Sequence, residues 1–127
     1  EKLKSQEEQL KSQIEKSNQL LRGSERQIKK HDEEFKKQED QLKEQGIVYQ
    51  CKKSFWRANG KAQAMGETEG MLKLFSDNDG LILGCHAYGA RAADIVQEVS
   101  VLMCKNTTLA ELYDMTHIHP TLSEILI

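Results

Sequence analysis

The sequence has little proline, few aromatic residues and no long apolar run. Among its 127 residues it holds one Pro, one Trp, three Tyr and three Phe. No apolar stretch approaches the roughly 18 residues that a membrane span needs. The first residues are polar, which is not typical of a secretory signal peptide. We therefore expect neither a membrane-spanning helix nor a membrane partner.

The sequence also lacks an excess of either charge and a paired set of cysteines. It carries 18 Lys and Arg against 20 Asp and Glu, a net charge of −2, so it has no basic footprint for nucleic acid. Cys51, Cys85 and Cys104 are odd in number and far apart in the chain. They indicate a reducing compartment and predict a cytoplasmic protein. We expect Cys85 and Cys104 to be small core residues rather than reactive thiols.

Residues 1–45 contain a single glycine and no Val, Tyr, Trp or Cys, so this half is too polar to bury a core. Its Glu, Lys and Gln residues favour a long helix. One heptad column is apolar and consists of Ile14, Leu21, Ile28, Phe35 and Leu42. The companion column begins with Leu3 and Leu10 and continues as Ser17, Ser24, His31 and Gln38. A seam with one complete column predicts a weak coiled coil.

Gly23-Ser24 leaves two conformations open for this helix. Ser24 followed by Gln27 resembles a capping box, and a glycine suits a helix end, so the segment could fold back as a hairpin. A straight helix is the other reading, since one glycine costs a helix only about 1 kcal/mol. The segment would serve as an oligomerisation or spacer element, or it is a solvated or unrelated fused helix.

The second half has the pattern of a small α+β domain, with an antiparallel sheet flanked by helices. Gly46 is expected to end the long helix. Asn78-Asp79-Gly80 predicts a hairpin, and Thr108 with Glu111 predicts a capping box. The predicted strands are 47–56, 70–75 and 81–88, and the predicted helices are 90–104, 108–115 and 121–127 with Pro120 in the first turn.

The segment from His119 to Glu124 reads His-Pro-Thr-Leu-Ser-Glu. It is similar to the closing motif of dihydrolipoamide dehydrogenases, which are members of the pyridine nucleotide-disulfide oxidoreductase family. Similarity extends upstream through 41–49, 70–74, 79–86 and 92–98. The resemblance implies a dimerisation domain at 39–127, preceded by a charged helical extension at 1–38. It also implies a homodimer whose parent enzyme uses FAD, NAD and a lipoyl or other disulfide substrate.

The sequence departs from the family in two ways. The family's interface domain opens with a strand ahead of the helix near residue 40, and here the charged helix takes that place. The sequence also has no Gly-x-Gly-x-x-Gly segment for a dinucleotide pyrophosphate and no Cys-x-x-x-x-Cys redox pair. We therefore expect no cofactor-binding residues in this chain, no catalysis by it alone, and either a fragment or a separate domain.

His119 and Glu124 are the candidate catalytic residues, as an acid/base pair that the resemblance implies. Dithiol chemistry needs a base because the thiolate is the reactive species, and histidine titrates near neutrality. A carboxylate on the other ring nitrogen fixes the tautomer. In the family the pair faces the partner subunit's redox disulfide. The alternative is a histidine that only caps the start of a helix.

Two further sites receive less support from the sequence. His117, His119, His86 and Cys85 lack the spacing of a metal site, so we predict none. Trp56 follows Lys52-Lys53, a pattern that could suit nucleic-acid stacking, but a partly buried anchor is the preferred interpretation.

The helix at 90–104 carries apolar residues over too wide an arc for one small sheet to bury, which predicts a dimer interface. The predicted interface residues are Ile95, Val96, Val99, Leu102, Met103 and Pro120. An alternative function is a coiled-coil structural or scaffold protein that uses the domain only as a dimeriser.

Overall fold

In the computed structural model, which describes residues 1–127, the polar first part of the chain is one helix, α1 (Lys2–Glu44). Gly23 lies inside it, so the continuous helix is confirmed and the hairpin is wrong. Ser24 is consequently an interior helix residue, and the predicted capping box with Gln27 does not begin a second helix. None of the helices combines the length and apolarity that crossing a bilayer requires.

The chain divides into two compact units, Glu1–Gln41 and Leu42–Ile127. The first unit is helix alone. In the second unit, α1 ends as predicted at Gly46, which adopts a left-handed φ of 72°. The N–H of Gly46 donates to Lys43 O at 3.0 Å, and that of Ile47 donates to Leu42 O at 3.1 Å. This pair of bonds is a Schellman motif, which satisfies carbonyls that a helix end otherwise leaves unpaired.

The second unit contains an antiparallel sheet of order β1-β2-β3, formed by β1 (Gln50–Phe55), β2 (Gly70–Ser76) and β3 (Ile82–Gly89). The predicted hairpin joins β2 to β3. In its turn, Asp77 Oδ1 accepts the N–H groups of Asp79 and Leu81, each at 2.9 Å. The first strand begins at Gln50 rather than at residue 47, because the residues after Gly46 lead out of the Schellman motif before pairing starts.

Three α-helices and two 3₁₀ turns complete the domain. They are the 3₁₀ turn Trp56–Ala58, α2 (Gly60–Met65), α3 (Ala92–Cys104), α4 (Leu109–Asp114) and the 3₁₀ turn Leu122–Leu126. The capping box of α4 is confirmed, with the Thr108 N–H 2.9 Å from Glu111 Oε2 and the Glu111 N–H 3.2 Å from Thr108 Oγ1. The arrangement is the α+β fold that the sequence predicts.

The core lies between one face of the sheet and the helices. It is formed by Trp56, Ala62, Leu72, Leu74, Ile82, Ile95, Val99, Leu112, Ile125 and Leu126. Trp56 is only 1% exposed, and its Nε1–H donates to Ala90 O at 3.0 Å. Its indole is thus a core anchor, buried more deeply than predicted and inaccessible to a nucleic-acid base. Cys85 packs against the core as predicted, whereas Cys104 is exposed because it lies at the solvent side of the last turn of α3.

Candidate functional site

The segment that carries the predicted acid/base pair is held in place by backbone hydrogen bonds. The His119–Pro120 peptide is cis, and Thr121 has an extended φ of −140° as the N-cap of the last 3₁₀ turn. Pro120 therefore precedes the cap instead of lying in the first turn of an α-helix, which corrects the predicted final helix. Asn59, the N-cap of α2, donates its Nδ2–H to Thr121 O at 3.1 Å and ties the segment to the start of α2.

His119 and Glu124 are in direct contact. His119 Nδ1 lies 2.9 Å from Glu124 Oε1 and 3.0 Å from Oε2. An ionised carboxylate only accepts hydrogen bonds, so the Nδ1 carries the proton and the neutral ring keeps its lone pair on Nε2. The side chains are 74% and 24% exposed, respectively. The histidine thus presents a basic nitrogen at the surface while the carboxylate lies behind it.

Glu124 is held by the backbone as well as by the histidine. The Thr121 N–H donates to Glu124 Oε1 at 2.9 Å, and the Thr121 hydroxyl donates to Ile118 O at 2.8 Å. The Thr121 N–H and then the His119 ring lower the pKa of Glu124 from its ordinary value of 4.5. The carboxylate is therefore ionised and oriented before any substrate arrives.

An open cleft of about 650 Å³ adjoins the pair. It is lined by Lys53, Ser54, Phe55, Ala58, Asn59, Gly60, His119, Glu124, Ile125 and Ile127. The lining mixes apolar side chains with polar and charged ones, among them the cation of Lys53. Residues around β1 contribute to it, although no local sequence signal had linked β1 to His119. The chain fold alone brings these segments together.

The predicted interface residues separate into two sets. Ile95 and Val99 are 3% and 1% exposed in the domain's own core, so neither side chain is accessible to another subunit. Val96 and Met103 are 40% and 37% exposed, Leu102 is half-buried, and Pro120 is exposed. The exposed apolar residues that the sequence did not assign to the interface include Val101 and Ile118, at 53% and 74%.

The other candidate metal ligands, His117, His86 and Cys85, are each held or buried within the domain. His117 Nε2 lies 2.7 Å from Leu112 O, which fixes that ring to the backbone. His86 packs edge-on against Phe75, with 5.0 Å between ring centroids. Burial raises the pKa of the Cys85 thiol to about 11, which disfavours its thiolate. The structure brings no group of three His, Cys, Asp or Glu residues together for a metal ion.

Comparison with known proteins places this domain in a family. The sequence model of the pyridine nucleotide-disulphide oxidoreductase dimerisation domain matches residues 37–127. The dihydrolipoyl dehydrogenase of Synechocystis is 37% identical over 84 residues, which are 65% of this chain and 18% of that protein. The Bacillus subtilis dihydrolipoyl dehydrogenase is 38% identical over 83 residues, with the same two coverages. The chain thus spans less than a fifth of the length of these relatives.

A solved structure shares the fold. The crystal structure of LpdA from Mycobacterium tuberculosis superposes with a TM-score of 0.60 at 20% identity, over 68% of this chain and 19% of that one. Together with the family match over most of the chain, this indicates a common domain architecture. The chain belongs to the pyridine nucleotide-disulphide oxidoreductase dimerisation-domain family.

Proposed function

We propose that residues 39–127 form a homodimeric interface domain that supplies the His119–Glu124 pair to a dithiol–disulfide reaction of the partner subunit. The observation that carries the proposal is the 2.9 Å contact between His119 Nδ1 and Glu124 Oε1, behind a ring that is 74% exposed. A base that serves another subunit needs one ring nitrogen held by its own subunit and the other ring nitrogen accessible to the substrate. The His119–Glu124 pair meets both requirements.

The chemistry assigned to the pair is proton transfer at Nε2 of His119. A substrate thiol gives its proton to this nitrogen and becomes the thiolate, which is the species that attacks a disulfide. Glu124 stabilises the imidazolium that forms, through the Nδ1–H bond. In the reverse direction the imidazolium protonates the departing thiolate. The named relatives are dihydrolipoyl dehydrogenases, so we propose dihydrolipoyl groups or related dithiols as the substrate class.

The residues present do not fit a flavin or a nicotinamide dinucleotide. No Gly-x-Gly-x-x-Gly segment opens any helix, and Cys51, Cys85 and Cys104 form no close redox pair. We propose that FAD and NAD, which are features of the parent family, are bound by protein segments other than these residues. The chain's own contribution is then limited to dimerisation and proton transfer.

The 127-residue chain by itself is predicted to bind no flavin and to lack lipoamide dehydrogenase activity. The reason is the missing pyrophosphate loop and redox cysteine pair, without which the hydride and electron transfers have no carrier. The check is the visible absorption spectrum of the purified chain together with an assay of NADH-dependent lipoamide reduction. A yellow protein, or turnover above background, would disprove this prediction.

A chimeric enzyme tests the role of the pair. Residues 42–127 replace the matching segment of the Bacillus subtilis dihydrolipoyl dehydrogenase, and His119→Gln is introduced into the chimera. We expect kcat for dihydrolipoamide oxidation to fall by about 10²–10⁴-fold, the range typical of a lost general base. His117→Gln is the matched control, because that ring is bound to Leu112 O and should leave kcat within a few fold. Equal activity of His119→Gln and the unsubstituted chimera would contradict the proposal.

A second function is favoured by α1, a 43-residue helix most of which lies outside the residues that the family model matches. In this alternative, the chain is a structural protein that uses the domain only as a dimeriser. The chimera separates the two functions, since a purely structural domain would dimerise in it without restoring proton transfer.

A further inference from the structure

The first half of α1 carries an apolar stripe that is exposed to solvent. The stripe consists of Leu3, Leu10, Ile14 and Leu21, which are 82%, 58%, 59% and 61% exposed. These residues lie on one face because they are spaced by seven, four and seven residues, the alternation of a two-column coiled-coil seam. All four belong to the unit Glu1–Gln41, which contains only helix. The stripe therefore lacks any partner element within its own unit.

The spacing of the stripe is the same when it is read backwards. Two copies of α1 that run in opposite directions consequently place Leu3 opposite Leu21 of the second copy and Leu10 opposite Ile14 of the second copy. Each of these layers is apolar on both sides, and the two-fold symmetry of the pair generates each layer twice. The stripe is thus complementary to itself in the antiparallel direction.

The charge on the stripe also favours the antiparallel direction. Glu7 and Ser17 are the polar residues that continue the seam between the apolar ones. Parallel helices would place Glu7 against Glu7 of the second copy, where two carboxylates repel each other in a partly desolvated seam. Antiparallel helices place Glu7 opposite the small side chain of Ser17 instead. Lys11 contacts the Glu7 carboxylate within its own helix at 2.6 Å, and both side chains of this pair are exposed.

From the spacing, the exposure and the charge, we propose that residues 3–21 form an antiparallel two-stranded coiled coil with the same residues of a second copy of this chain. A second copy is the occupant because the stripe is its own complement. In addition, the chain belongs to a family of dimerisation domains, so copies that are held together raise the local concentration of α1. This pairing involves no residue of the His119–Glu124 site, and it rests on the proposed function only in that dimerisation of the domain brings copies of α1 together.

Disulfide crosslinking of the 127-residue chain tests the pairing. Two variants of different mass, Glu7→Cys and Ser17→Cys, are mixed after Cys51 and Cys104, which are exposed, have been replaced by Ser. Residues 7 and 17 of opposite copies share a layer and fall within disulfide reach. Two cysteines at position 7 lie about 15 Å apart along the seam, because an α-helix rises about 1.5 Å per residue. We expect the mixed 7–17 product to exceed the 7–7 product at least tenfold.

A matched pair of charge variants shows whether the stripe is responsible. Ile14→Glu is expected to reduce the 7–17 product at least tenfold while the helix is retained, since glutamate is a good helix former. Gln19→Glu adds the same charge on the opposite face of α1 and should leave the yield unchanged. Dominant 7–7 product would indicate parallel helices, and absence of any crosslink would indicate a different partner or none. Either result overturns the proposal.

Discussion

At the scale of single residues, Glu124 combines a structural role with a proposed chemical one. The domain has two turns that begin with threonine and a glutamate three residues later, at Thr108–Glu111 and Thr121–Glu124. In both turns the glutamate accepts the threonine N–H at 2.9 Å. In the second turn the carboxylate also binds His119, because the chain before the cap turns that ring back over it. A capping residue thereby becomes the group that orients a base.

The lowered pKa of Glu124 predicts a contribution to stability that depends on pH. A carboxyl group whose pKa is lower in the folded state stabilises the protein above its unfolded-state pKa, and this contribution disappears as the pH falls through the lowered folded-state value. Glu124→Gln keeps an acceptor for the Thr121 N–H but removes the charge. We expect the free energy of unfolding of this variant to vary less with pH below the ordinary carboxyl pKa of 4.5.

Urea unfolding between pH 3 and pH 7 measures this difference. Glu111→Gln is the matched control, because that carboxylate caps a turn in the same way but binds no histidine. It should change the acid dependence less than Glu124→Gln does, because it alters the equivalent backbone bond but no contact with a histidine. Parallel pH profiles for Glu124→Gln and the unsubstituted protein would show that the carboxylate is not stabilised as described.

At the scale of secondary-structure elements, the glycine that begins β2 and the glycine that ends β3 make room for Trp56. A Cβ added to Gly70 would lie 2.7 Å from Trp56 Cδ2, and one added to Gly89 would lie 2.8 Å from Trp56 Cε2. Both glycines also have φ values, 152° and 139°, that L-residues with side chains rarely adopt. The indole is therefore buried against bare backbone, which explains why so large a side chain fits next to the sheet.

Gly89→Ala is predicted to destabilise the domain by about 2–4 kcal/mol, from backbone strain and a clash with a fully buried ring. Gly84→Ala in the same strand is the control, because a Cβ there meets nothing within 4 Å and the backbone is not left-handed. Thermal melting followed by circular dichroism should show a large fall in Tm for the first variant and almost none for the second. Similar melting temperatures for both would contradict the described packing.

The elements that the sequence predicts well are those with a local cause. The Asn78-Asp79-Gly80 hairpin, the Gly46 helix end and the capping box at Thr108 each depend on residues a few positions apart. The glycines beside Trp56 were not predicted as its packing partners, because their role depends on a contact between distant segments. The helical period likewise identified the apolar residues of α3, but only the position of the sheet decides that Ile95 is core and Val96 is surface.

At the candidate site, too, the sequence predicts local contacts but not contacts between distant segments. His119 and Glu124 lie five residues apart around one turn, and the sequence paired them because the closing motif resembles that of the family. The cleft beside them includes Lys53, Phe55 and Asn59, which come from β1 and the start of α2. Only the tertiary fold brings these residues to the pair, so they could not be assigned to the site from the sequence.

At the scale of the whole molecule, the proposed function requires that the domain beginning near residue 39 dimerises without α1. The family match covers residues 37–127. Val96 and Met103, seven residues apart on one face of α3, are exposed, so the domain's own sheet does not bury them. Exposed apolar patches of this kind are typical of association sites, and a two-fold pair is the commonest way to cover them.

Sedimentation equilibrium of residues 39–127 alone, at tens of micromolar, tests whether the domain dimerises by itself, because residues 3–21 of α1 are then absent and cannot pair. We expect a species of twice the monomer mass, and a shift toward monomer for Val96→Glu without loss of folded structure. A folded, well-behaved monomer of the unsubstituted domain over the same concentration range would contradict this expectation.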